Sequence, residues 1–143
     1  MKIFVYRGLV AVVALAWIAA STANGAVVSF ETSLSGLNEN PANASPGTGF
    51  AQVDFDIVAH TLRVQVTFSD LLGNTAAAHI HAAVAAPGNV GVATQTPTFA
   101  FFPGGVTSGA YDNTFDTTLE SSFNPAYVTA HGGTAAGAEA ALF

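Results

Sequence analysis

Residues 49–68, GFAQVDFDIVAHTLRVQVTF, decide the fold. Ala51, Val53, Phe55 and Ile57 alternate with Gln52, Asp54 and Asp56. Leu62, Val64, Val66 and Phe68 then alternate with Arg63, Gln65 and Thr67. Successive side chains of a strand point to opposite faces, so each run predicts a half-buried antiparallel strand with one apolar side. Ala59-His60 between them predicts a tight hairpin. Asp54 and Asp56 share the other face, which alternation marks as solvated.

The same period extends outward. In VVSFETSL, residues 27–34, Val28, Phe30 and Leu34 share a face, with Thr32 between them. Downstream, AYDNTFDTTL (110–119) places Tyr111, Phe115 and Leu119 on one side. Between lie SDLLGNTA (69–76), a turn at Gly73-Asn74, and AAHIHAAV (77–84). A Pro-Gly-Asn turn at 87–89 follows, then VGVAT (90–94) and a loop punctuated by Pro97, Pro103, Gly104 and Gly105. About six short strands separated by turns predict an all-β fold, an antiparallel Greek-key-like β-sandwich or barrel. The alanine-rich end, GGTAAGAEAALF, predicts one short C-terminal helix starting near Thr134.

His79 and His81 stand one residue apart, so on a strand both rings project to one side while Ala78, Ile80 and Ala82 project to the other. Two imidazoles on one strand face are able to converge on a zinc or copper ion at ~2.0–2.1 Å. A third and fourth ligand are then needed. His131, His60, Glu39 and several aspartates are the residues available, and spacing alone does not choose among them. The alternative is a pair of solvated or backbone-bonded histidines on a polar strand face. His60 reads as a turn residue; His131 sits beside Gly132-Gly133. The sequence contains no Gly-x-Ser-x-Gly elbow, phosphate loop or His-Glu-x-x-His helix. The Asn43-Ala44-Ser45 triplet fits a glycosylation acceptor, which matters only in a eukaryotic secretory route. The eleven phenylalanines read as core rather than as a ligand box.

Lys2 and Arg7 precede an uncharged run, GLVAVVALAWIAA at 8–20, and small residues follow. This is the pattern of a secretory signal peptide over residues 1–25, with cleavage expected between Ala23 and Ala26. The run is shorter than the ~20 residues of a spanning helix. The mature chain, one domain from about residue 27 to Phe143, keeps Arg63 as its only basic residue against nine acidic ones, a net charge near −8. Such a surface repels phosphate backbones and excludes nucleic acid as a partner. The chain has no cysteine, which rules out a disulfide scaffold, a thiol nucleophile and a lipoprotein anchor. The expected location is secreted, periplasmic or cell-surface, without membrane attachment once the leader is removed.

FETSLSGLNENPANASPGTGFAQVDFD (30–56) resembles the opening of the CHRD (chordin-type) domain family, with Leu34-Ser35-Gly36, Glu39, Pro41 and Thr48-Gly49 in the family's order. Leu71-Leu72-Gly73 and Ala78-His79-Ile80-His81 resemble its next marks. VTSGAYDNTFDTTL and NPAYVTAHGGTAAGAEAAL look like its bacterial exported branch, so the resemblance covers roughly residues 28–143. The resemblance implies an exported, non-enzymatic β-sandwich module that binds an unknown extracellular protein or serves structurally.

The alternative is copper or zinc binding through His79 and His81, with Glu39 and His131 as further ligands. A third reading, an enzyme using such a metal, has no general base to support it. The His-x-His arrangement is also similar to that of copper–zinc superoxide dismutase, but the further ligands of that two-metal site are missing. The paired histidines also have a reading without metal, as a network locking neighbouring strands or Glu39. The family continues past the alanine-rich helix into strands with Asn-x-His-Thr and Pro-Gly-Gly-Glu-Ile-Arg-Gly. This sequence ends at Phe143, so a C-terminally incomplete domain with an unpaired edge and a partly uncovered core is expected.

Overall fold

The computed structural model describes residues 27–39, 41–82 and 91–143. The expected signal peptide and the turn at 87–89 lie outside the described residues. Four strands form one antiparallel sheet in the order β1 (Val27–Ser35), β2 (Thr48–Asp56), β3 (Thr61–Ser69), β4 (Gly109–Asp116). The register sets Phe30 opposite Val53, Val53 opposite Val64, and Val64 opposite Asn113. It therefore gathers the apolar members of the alternating runs onto one face, as their period requires. The sheet is open, with β1 and β4 at its edges, so no barrel closes, and its order is sequential without a Greek-key crossover.

β2 and β3 meet through Ile57–His60. The Asp56 carboxylate accepts from the N–H groups of Val58 and Ala59 at 2.9 and 2.8 Å, and His60 takes a left-handed backbone, φ 54°. β2 thus ends one residue before the alternation does, and Ile57 is exposed. β4 also ends early, at Asp116. There the carboxylate turns to accept from the N–H and hydroxyl of Thr118 at 2.9 and 2.5 Å. Leu119 consequently leaves the apolar face and is exposed, against the sequence expectation.

Between β3 and β4, residues 70–82 and 91–108 lie across the apolar face as a second, thinner layer. Two of the expected strands fall here, and among the described residues neither forms a ladder: the isolated bridges His81–Val92 and Thr94–Phe123 stand in their place. The reason is that threonine side chains replace backbone partners. Thr98 Oγ1 accepts from Ala78 N–H at 2.9 Å and Thr94 Oγ1 from Ile80 N–H at 2.7 Å. Thr94 itself is fully buried. Buried hydroxyls satisfy the backbone at the cost of a regular strand.

The core unites Phe55, Leu62, Val64, Tyr111 and Phe115 of the sheet with Phe99 of this layer, flanked by Ala78, Ile80 and Phe102. Each large apolar side chain so buried contributes about 1.5–3 kcal/mol. A second cluster, Ala93, Phe123, Tyr127, Val128, Ala135 and Ala138, seats two helices where one was expected. α1 (Pro125–Ala130) starts at Asn124, whose Oδ1 accepts from Ala126 N–H, with proline at the first helical position. It stops where Gly132 and Gly133 adopt positive φ, and Gly133 N–H returns to Val128 O at 2.9 Å. α2 (Ala135–Leu142) begins after the Thr134 cap, as the sequence predicts.

Candidate functional site

Ala78 and Ile80 pack into the core, so alternation turns His79 and His81 the other way. Their ring centroids lie 4.9 Å apart with planes at 62°. His79 is half-buried and His81 exposed. An imidazole centroid sits about 3.2 Å from a metal bound through a nitrogen at ~2.0–2.1 Å, so this spacing matches two ligands subtending roughly 100° at one ion. Two strand-neighbouring histidines therefore stand at a separation that suits a shared metal.

Glu39 lies just after the 3₁₀ turn Gly36–Asn38, is exposed, and lines the same groove as His79. His131 belongs to a different part of the molecule. It closes α1, its Nδ1 donates to Tyr127 O at 2.8 Å, and its ring lies 4.0 Å from the Tyr127 ring. Among the described residues no group of three or more His, Cys, Asp or Glu is assembled around one point.

The groove holds about 670 Å³ between the apolar face of β1–β2 and the segment 77–80. Its walls include Leu34, Val53, Val66, Phe68, Ile80 and Phe102, and Glu39 also lines it. It exists because the second layer covers only half of the sheet. Phe55 is 3 % exposed, while Phe30, on the neighbouring strand and the same face, is 58 % exposed.

A family model, the CHRD domain, matches residues 30–139. The chain belongs to the CHRD domain family. No match was found among curated proteins or among solved structures. The structure gives physical reasons for two glycines in the opening of this CHRD domain. A Cβ on Gly36 would strike the Asn43 side chain, whose Oδ1 accepts from Ser45 N–H, while the Asn43 backbone N–H donates to Gly36 O at 2.8 Å. A Cβ on Gly49 would strike Thr67 O on the neighbouring strand.

Another cluster in the CHRD domain had no sequence signal. Glu139 of α2 is buried, accepts the Thr117 hydroxyl through Oε1, and meets His60 Nδ1 at 3.1 and 2.9 Å. His60 is therefore more than a turn residue: it ties the β2–β3 hairpin to the last helix. The partners lie 79 and 22 positions from Glu139, far outside any local pattern.

The opposite sheet face carries the solvated polar set. Gln52 and Ser29 donate to Asp54, and these bonds hold its carboxyl below the ordinary value. Arg63 grips Asp112 with two bonds, 2.8 and 2.6 Å, and lowers that carboxyl in the same direction.

Proposed function

We propose that this chain is an exported, non-enzymatic CHRD module whose task is to bind another molecule. The observation that carries the reading is the half-covered apolar face, with Phe30 and Leu34 open beside a filled core. A contiguous apolar exposure rimmed by polar groups is characteristic of an interaction surface. The buried carboxylate, Glu139, serves Thr117 and His60 and is taken up by structural bonds. Among the described residues no helix is long and apolar enough to cross a membrane. The test is expression with the native leader, followed by mass spectrometry of the exported chain and assay against hydrolase and redox substrates. The expected chain begins after one of residues 23–26 and is inactive. A retained leader, or an activity abolished by His79→Ala, overturns the reading.

A second reading, copper or zinc binding, is supported by the 4.9 Å separation of the His79 and His81 rings. Calorimetric titration with copper(II) and zinc(II) tests it. One-to-one saturation, lost in a folded His79→Ala/His81→Ala variant and weakened on acidification as protons compete, is expected. No heat from folded wild type removes this reading.

A further inference from the structure

Among the described residues the three most exposed large apolar side chains are Phe101, 93 %, Leu72, 80 %, and Leu37, 79 %. All three belong to one end of the sheet. Ser35, Thr48 and Ser69 align across β1, β2 and β3, and Phe68 stands opposite Gly109 of β4. Leu37 is two residues beyond β1 and Leu72 three beyond β3. Phe101 precedes β4, next to Phe102, whose ring stacks on Phe68 at 5.7 Å.

The loops that carry these side chains are stitched together. Leu71 N–H donates to Thr107 O at 3.1 Å, Thr75 N–H to Val106 O at 2.8 Å, and Gly105 N–H to Thr75 O at 2.9 Å. Leu71 also abuts Gly47 of the Leu37 loop, where an added Cβ would strike its Cδ2. Phe101 has a left-handed backbone, φ 64°, that non-glycine residues seldom adopt. Its neighbours fix that geometry: Ala100 N–H donates to Gln95 Oε1 at 2.7 Å, Phe102 N–H to Phe99 O at 3.2 Å, and Tyr111 Oη to Ala100 O at 2.9 Å. Phe99 and Phe102 pack into the core, which leaves Phe101 outside it. The tips stand clear, because a Cβ on Gly73, Gly104 or Gly105 would meet nothing within 4 Å. Residues 71–111 contain no Asp, Glu, Lys or Arg, and Asp70 and Glu39, both exposed, are the charges in the three loops.

We propose that this end of the molecule is a lipid-contacting surface, with Leu37, Leu72 and Phe101 entering the headgroup–acyl boundary of a bilayer rich in zwitterionic phospholipid. Apolar tips on separate loops, backed by an uncharged segment, enter that boundary without burying a charge. Area favours lipid over a second copy of the chain. Three such side chains offer roughly 500 Å², against about 800 Å² per partner in a standard protein interface. Charge selects the lipid: the loops hold two carboxylates and no basic group, and the mature chain has nine acids to one arginine, so anionic headgroups repel it. Sequence reading expects no membrane attachment after leader removal; the loop tips supply a reversible contact outside that expectation. The proposal goes beyond the binding-module reading, which rests on the sheet face.

Trp17, the one tryptophan, lies in the expected leader. Phe101→Trp in the exported chain therefore places a single reporter at a tip. Val58→Trp places one at the exposed β2–β3 turn, the opposite end of the sheet. With phosphatidylcholine vesicles, Phe101→Trp emission should shift to the blue and be quenched by lipids brominated high on the acyl chain, while Val58→Trp stays unchanged. Unmodified wild type should float with the same vesicles. Adding Leu37→Ser and Leu72→Ser should weaken partitioning at least tenfold without altering circular dichroism. Replacing half the lipid with phosphatidylglycerol should weaken it severalfold at low salt, and the difference should vanish at high salt. Overturning results are wild type that does not float at millimolar lipid, an equal shift at Val58→Trp, indifference to the serine pair, or tighter binding to anionic vesicles. A blue shift without vesicles that grows with protein concentration also overturns the proposal, because a second copy then covers the tips. None of these touches the binding-module reading; an activity abolished by His79→Ala removes that reading and leaves the lipid surface standing.

Discussion

Glu139 sits on an alanine-rich helix, yet its carboxylate reaches a buried threonine hydroxyl and an imidazole at a hairpin 79 positions away. Thr117 is fully buried, so its hydroxyl depends on that carboxylate. Glu139→Ala leaves the hydroxyl without its partner and should cost about 1–3 kcal/mol in urea unfolding. His60→Ala should cost less, because His60 is half-exposed and its bond to Glu139 is open to water. Equal losses would mean that the imidazole, rather than the buried hydroxyl, dominates the cluster. Asp116 supplies a pH-dependent residue. The Thr118 hydroxyl, then its N–H, hold the Asp116 carboxyl below the ordinary value. Its unfolded value is about 3.9, so the contribution is complete above roughly pH 4 and is lost as pH falls through the lower folded value. The stability difference between wild type and Asp116→Asn, followed from neutral to acid pH, should shrink below about pH 4. A difference constant with pH would refute the assignment.

At the scale of elements, legibility followed locality. Alternation in residues 49–68 located β2 and β3, and Thr134 located the start of α2, because period and caps are properties of neighbouring residues. α1 carried the same kind of signal in Asn124-Pro125, a cap followed by a first-turn proline, but it is only Pro125–Ala130, and a single helix near Thr134 was expected. The histidine segment was read as a ladder strand because nothing local reveals that Thr94 and Thr98 would take its hydrogen bonds. Asn124 shows how elements are joined. Its Oδ1 caps α1 while its Nδ2 donates to Val92 O at 2.9 Å, bridging the helix to the second layer. Asn124→Asp keeps the cap and loses the bridge, whereas Asn124→Ala loses both. Alanine should therefore be the more destabilising by about 1 kcal/mol. Gly137 provides a sharper test. Alanine in place of a helical glycine usually adds up to about 1 kcal/mol of stability. Here a Cβ would strike His131 O, so Gly137→Ala should instead lower the urea midpoint by prising α2 from the end of α1. A raised midpoint would show that the two helices are free to separate.

The whole molecule is an apolar sheet face only half covered, and this asymmetry is where sequence reading reached its end. Period two assigned Phe30, Val53 and Phe55 to a common face, which the register confirms. It does not say how far the second layer extends over that face. Coverage depends on where residues 91–108 pass, and that path is set by contacts such as Tyr111 Oη donating to Ala100 O at 2.9 Å and the Phe99–Phe115 ring pair at 5.2 Å. The candidate site was legible to the same degree. The histidine pair was visible from spacing, while the groove beside it was not. Two phenylalanines on adjacent strands of that face measure the asymmetry directly. Phe55 packs in the core and against Phe143 at 5.1 Å, so Phe55→Ala should cost about 3–5 kcal/mol. Phe30 is mostly in water, and Phe30→Thr places a β-branched, strand-favouring residue there. It should cost less than about 1 kcal/mol while reducing the binding of an apolar dye to the native protein. Comparable losses from both substitutions would mean that the face is covered in solution, with the groove filled before any probe arrives.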